Sequence, residues 1–183
     1  MNAIYLVPLG SADRSIITNL GPHLERRFRA SVAVHEKAVS IDPFYDAQRV
    51  QYNSTSIIGH LLERYQLAPA ASSTKILGIA GQDLFIPILT YVFGEAQLGG
   101  LVSVVSYYRL ANERYGLPAD RPLFLDRLLK EAMHELGHTY GLIHCRTLNC
   151  VMHISTYVED IDTKPAEFCR ECEQKLFHTE SKR

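Results

Sequence analysis

Apolar residues fall first into a short run and then into helical spacing. Ala3 to Leu9 is short and mostly apolar, and predicts a strand. Ile17, Leu20, Leu24 and Phe28 follow at spacings of three and four, which predicts a helix. Gly21-Pro22 interrupts that helix, so a break, or a restart with Pro22 in the first turn, is expected. Ser31 to Ser40 reads as a second strand, and the polar stretch Ile41 to Asn53 as a loop. Ser54 to Tyr65 carries an apolar stripe of Ile57, Ile58, Leu61, Leu62 and Tyr65, and predicts a second helix. Pro69 to Thr74 is linker-like, and Lys75 to Gly81 reads as a buried strand.

Residues 84 to 98 are apolar and rich in strand formers, with a turn or bulge at Gly99-Gly100. Leu101 to Leu110 predicts another strand. A long helix then begins near Pro122, with Leu125, Leu129, Ala132, Leu136 and Tyr140 as its core stripe. Lys164 to Phe177 predicts a short last helix carrying Phe168, Cys172 and Leu176. Strands alternating with helices imply an α/β fold with a partly parallel sheet covered by helices.

The long helix contains the chemistry. In HELGHTYGLIHC, residues 134–145, His134 and His138 are four apart and share one helix face. Both imidazoles can then reach one metal ion, with Glu135 beside it as a general base. Gly141 permits a left-handed exit from the helix, and the turn can return His144 as a third ligand. Three imidazoles leave a fourth position for water, the arrangement of a zinc hydrolase. The other histidines, at 23, 35, 60 and 178, read as surface or satisfied polar groups, while His153, close to the motif, is left open.

The 183 residues are 46% hydrophobic with a formal net charge of -1, as expected of one globular domain with a sizeable core. That balance favours neither nucleic acid nor a membrane as partner. The N-terminus has no basic segment ahead of its apolar run, so no signal peptide is expected and the cytoplasm is the expected compartment. There, reduced thiols are the rule. Cys145, Cys150, Cys169 and Cys172 form two close pairs able to close a four-sulfur zinc site. Two disulfides, or unpaired core cysteines, are the alternatives.

Together HELGHTYGLIHC, the following CVM and the later CREC resemble the archaemetzincins, a branch of the metzincin zinc peptidases, and every fixed position of that signature is met. DLFIPILTYVFGEAQLGGLVSVVS, residues 83–106, is also similar, so the resemblance covers about residues 75 to 177. It implies one metzincin-like catalytic domain over residues 1–183. Residues 1–143 would hold a twisted, mostly parallel sheet with one antiparallel edge strand, above the active-site helix. Residues 144–183 would hold the Met-turn, the cysteine site and a C-terminal helix. It implies a catalytic zinc on His134, His138 and His144, with Glu135 catalytic. It also implies a structural zinc on Cys145, Cys150, Cys169 and Cys172, and Met152 as the floor beneath the histidines.

The expected activity is peptide-bond hydrolysis by a monomer of narrow specificity, on short peptides or free N-termini, with the peptide along an edge strand near Leu89 to Leu98. The position two residues after Met152, where some metzincins carry an oxyanion-binding Tyr, is Ile154, with Tyr157 nearby. Two other readings remain. One is a non-catalytic zinc domain, which would have no use for Glu135. The other is a four-cysteine zinc knuckle. Its flanks mix Arg146, Lys164, Arg170 and Lys175 with Glu167, Glu171 and Glu173, too acidic to favour nucleic acid.

Overall fold

A computed structural model describes residues 2–65 and 74–178. Five strands form the main sheet: β1 (Ala3–Leu9), β2 (Ser31–Val34), β5 (Thr74–Ala80), β7 (Gly94–Ala96) and β8 (Val102–Ser106). Their order is β2-β1-β5-β8-β7, parallel except for β7, which pairs antiparallel with β8 at the edge. A smaller sheet joins β3 (Tyr45–Asp46), β4 (Gln51–Asn53) and β6 (Leu84–Phe85). The mostly parallel sheet with one antiparallel edge is as expected.

Period-two alternation along the strands builds a core on each face. Ile4, Leu6, Leu77, Ile79 and Val105 meet α1 (Arg14–Phe28) and α3 (Arg121–Thr139). Val7, Leu9, Ile76, Ala80 and Val104 meet Ile57, Ile58 and Leu61 of α2 (Ser54–Arg64). Leu62 and Tyr65 of the expected stripe are only partly buried.

Several expectations are corrected. Helix α1 runs unbroken through Gly21-Pro22. Pro22 is on its exposed face, where the carbonyl it strands can meet water. An interior Pro costs about 3 kcal/mol. Burying Ile16, Ile17, Leu20, Leu24 and Phe28 outweighs that, at roughly 1.5–3 kcal/mol per side chain. The strand expected over 31–40 stops at Val34, after which only Val39 pairs again, by a single bridge to Leu9. The polar residues His35, Glu36 and Lys37 bend between them. The expected loop 41–53 contains a 3-10 turn at Asp42–Phe44 and the short strands β3 and β4. The strands expected over 84–98 and 101–110 shrink to β6, β7 and β8. The linker-like residues 69–73 lie outside the described residues.

The helix expected over 164–177 starts only at Arg170, as α5 (Arg170–His178), and a short helix that the spacing did not predict, α4 (Val158–Thr163), precedes it. Pro165 ends α4: the residue before a proline is pushed out of the helical region, and Lys164 sits at φ -101, ψ 149. Asp160 starts α4 by accepting the Thr156 and Tyr157 N–H groups, each at 2.8 Å.

Helix α3 positions the site. Asp120 caps its start, accepting the Leu123 N–H at 2.9 Å, with Pro122 in the first turn. From Leu128 onward it is buried almost all round, because the sheet, α1 and the C-terminal segment enclose it. The stripe is therefore wider than the spacing alone implied. Leu128 and Met133 are fully buried, whereas Leu125, Leu129 and Tyr140 are partly exposed.

Candidate active site

His134, Glu135 and His138 lie on the last turns of α3. The helix ends in a Schellman motif: Leu142 N–H donates to the Gly137 carbonyl at 3.0 Å and Gly141 N–H to the His138 carbonyl at 2.9 Å. Gly141 adopts φ +88, a conformation that favours glycine because a Cβ would be strained there. The reversal brings His144 back over the helix. One ring nitrogen from each of His134, His138 and His144 lies within 4.8 Å of the others, close enough to share a metal ion.

This cluster fits a cation on its own chemistry. His134 Nδ1 faces the Val151 carbonyl at 2.9 Å, and His138 Nδ1 the Leu142 carbonyl at 2.7 Å. A carbonyl only accepts, so both Nδ1 atoms carry the proton and both Nε2 atoms present lone pairs. Those two Nε2 atoms converge at 3.1 Å. Two lone pairs so placed repel unless a positive charge lies between them. Zinc–nitrogen bonds in a tetrahedron would set them about 3.3 Å apart. Burial first, then the buried Lys164 ammonium, holds the His134 imidazole well below its ordinary pKa. Burial likewise lowers His138 and His144, so all three favour the neutral, ligating form.

Glu135 is 6% exposed and lines the same cleft. Burial pushes its carboxyl well above the carboxylate range, and the neighbouring Glu131 adds to the rise. A carboxyl of raised proton affinity beside the cluster is suited to receive a proton. The cleft, of about 380 Å³, is lined by Gly94, Glu95, Ala96 and Leu98 on the β7 side and by Ile143 and His144 opposite. Gly99 N–H also bonds the His138 carbonyl at 2.8 Å, tying the turn after β7 to the helix end. The edge expected near Leu89 to Leu98 is thus narrower, at Gly94–Ala96.

Two glycines set clearances here, and spacing alone had not singled them out. A Cβ on Gly137 would lie 2.5 Å from Met152 Sδ, so this glycine admits the sulfur beneath the histidine helix. A Cβ on Gly94 would lie 2.5 Å from Glu135 Cγ and 2.6 Å from the Val104 carbonyl oxygen. Gly94→Ala is therefore expected to cost about 1–3 kcal/mol through overpacking, read as a lower denaturation midpoint at unchanged slope. A midpoint equal to the parent's would contradict this close approach.

The four cysteines also converge, their sulfurs within 4.8 Å of one another. All are free, and Cys145 Sγ lies 3.8 Å from Cys169 Sγ, far beyond a disulfide. Tetrahedral zinc–sulfur bonds give a spacing of about 3.8 Å. Burial opposes the Cys145 thiolate, but hydrogen bonds from Thr147 and neighbouring thiols bring its pKa down to about 7. Burial and the nearby Cys150 push the Cys172 thiol well up. A site of this kind needs a cation to hold several thiolates together.

His153 joins neither cluster. Its Nδ1 contacts the Cys145 carbonyl at 3.0 Å, on the backbone link between the two sites. Tyr157 and Ile154 are both exposed, at 64% and 52%.

The profile of Peptidase family M54 matches residues 28–178. The archaemetzincin of Archaeoglobus fulgidus is 40% identical over 173 residues, 94% of this chain and 98% of that protein. The archaemetzincin of Methanocaldococcus jannaschii is 36% identical, covering 94% and 92%. Among solved structures, the A. fulgidus archaemetzincin, crystallised with malonate, superposes with a TM-score of 0.79 at 40% identity over 94% of this chain and 99% of that one. The archaemetzincin of Methanopyrus kandleri gives 0.82 at 31% identity, covering 99% and 96%. With two metal-ligating clusters in place and relatives matched over nearly their whole length, the chain belongs to peptidase family M54, the archaemetzincins, and is a zinc metallopeptidase.

Proposed function

We propose that this chain hydrolyses peptide bonds at the histidine cluster, with His134, His138 and His144 holding a catalytic zinc and Glu135 as general base. The observation that carries this is the convergence of two unprotonated Nε2 atoms at 3.1 Å beside a buried carboxyl in one cleft. Zinc held there would supply Lewis acidity, making its bound water acidic and polarising the scissile carbonyl. Glu135 takes the proton from the attacking water and passes it to the leaving amine. The proton-bearing Nδ1 atoms of His134 and His138 fix the ring orientations through Val151 and Leu142. The substrate backbone lies along the open edge of β7, extended as an added strand.

Cys145, Cys150, Cys169 and Cys172 hold a second, structural zinc; four thiolates leave it no open position. Residues 1–183 act as one catalytic domain, with 144–183 supplying Met152, the cysteine site and the last helix. Short peptides or free N-termini fit the small cleft, and the chain works as a monomer.

Zinc per chain tests the assignment. The parent should hold about two zincs, a Cys169→Ser/Cys172→Ser variant about one, and that variant should lose the remaining metal when His138→Ala is added. One zinc in the parent, or histidine-site metal that survives His138→Ala, would overturn it.

A further inference from the structure

Beside the histidine cluster lies a buried ion pair that the hydrolytic steps do not use. Glu131 is on α3, one turn before Glu135, and Lys164 is the extended residue that follows α4. Their side chains are 4% and 1% exposed, and they meet at 3.1 Å. That contact lies off the hydrogen-bonding direction, and Glu131 Oε1 is without an aligned donor. The ammonium is aimed elsewhere: Lys164 Nζ donates to the His153 carbonyl at 3.0 Å.

The segment so held is the floor of the site. Val151 gives its carbonyl to His134 Nδ1. Met152 sits under Gly137. The Met152 carbonyl accepts the Cys145 N–H at 2.9 Å, and Val151 N–H donates to the Glu167 carbonyl at 2.8 Å. Three consecutive residues therefore fix the orientation of one proposed ligand, the clearance below the helix and the start of the cysteine site. Lys164 holds the third of them and, through Glu131, refers it to the helix that carries His134.

We propose that Lys164 is a positioning residue for the histidine site, fixing residues 151–153 against α3 through the His153 carbonyl, with Glu131 as its anchor. This rests on the zinc assignment above. A long side chain enclosed to this degree has little freedom, so the carbonyl it grips is fixed to within a fraction of an ångström. Loss of a direct outer partner of a metal ligand typically costs about 10- to 100-fold in metal affinity or activity, and Lys164, one step beyond the Val151 carbonyl, is expected at the lower end of that range.

The competing explanation is that Lys164 only neutralises Glu131. Two variants of the full chain separate the two. Glu131→Gln/Lys164→Met removes both charges. It should fold and keep its cysteine-site metal, yet release histidine-site zinc to a chelator about tenfold or more faster, with kcat lowered and KM within about twofold. Cobalt in its histidine site should show altered d–d bands, while the thiolate charge-transfer band stays as in the parent.

Glu131→Gln alone leaves the bond to His153 in place. It should keep metal release and kcat within about threefold of the parent. Parental metal release, cobalt spectrum and kcat in the double variant would overturn the proposal. So would a loss in Glu131→Gln as large as that in the double variant. If the double variant does not fold, Lys164→Met takes its place: faster release of histidine-site zinc with the cysteine-site metal kept supports the proposal, and parental release overturns it. Glu135→Gln is the control: parental turnover there would remove the catalytic reading but leave the metal-release result standing.

Discussion

Replacing Glu135 by glutamine is expected to lower kcat by about 10²- to 10⁴-fold while leaving zinc content and folding unchanged. The size follows from removing the group that accepts and returns the proton. The unchanged fold follows from the environment. Glu135 is 6% exposed, and glutamine matches its shape, so the packing around it is kept. Glutamine also fits below Gly94, where no Cβ competes for space. Turnover of a peptide that the parent cleaves, with zinc measured on the same samples, checks the claim. A glutamine variant as fast as the parent would remove Glu135 from the chemistry.

The second large effect is on stability. Cys169→Ser/Cys172→Ser should cost several kcal/mol and lower Tm by about 10 °C or more. Structural zinc sites in small peptides contribute about 10–16 kcal/mol of binding energy. Here the cost is smaller, because α5 is also held by Leu176 and Phe177 against the main core. Scanning calorimetry in the presence and absence of a chelator is the readout. A variant with the parent's Tm, insensitive to the chelator, would mean that the cysteines hold no metal. Histidine-site affinity should fall with it, because His144 and Cys145 share a peptide bond.

The site was legible in the sequence because its ligands are local. His134, His138, Gly141 and His144 lie within eleven residues, and a helix followed by a left-handed turn is enough to bring them together. The cysteine grouping was legible from spacing as a possibility, and the fold brings the four sulfurs together as free thiols. What stayed hidden depends on long-range packing. Nothing near Gly94 in the chain announces Glu135, forty-one residues later, as its neighbour. Lys164 reads as one more surface cation until the fold encloses it. Pro22 looked like a helix break because its solvent-facing placement is decided by the sheet beneath. The strands β3 and β4 were too short for periodicity to register, being held by pairing such as that of Tyr45 with Tyr52.

The open edge β7 also bears on self-association. An unpaired strand beside a reactive cleft invites a second copy to add its own edge and aggregate. Here the edge is three residues long, and its central residue is Glu95, fixed by Ser54 and by the Thr55 hydroxyl at 2.8 Å. Antiparallel pairing of two such edges centred on Glu95 would set two carboxylates face to face, and like charges directly opposite are unfavourable. Charge at the midpoint of so short an edge works against such pairing while leaving the strand uncovered.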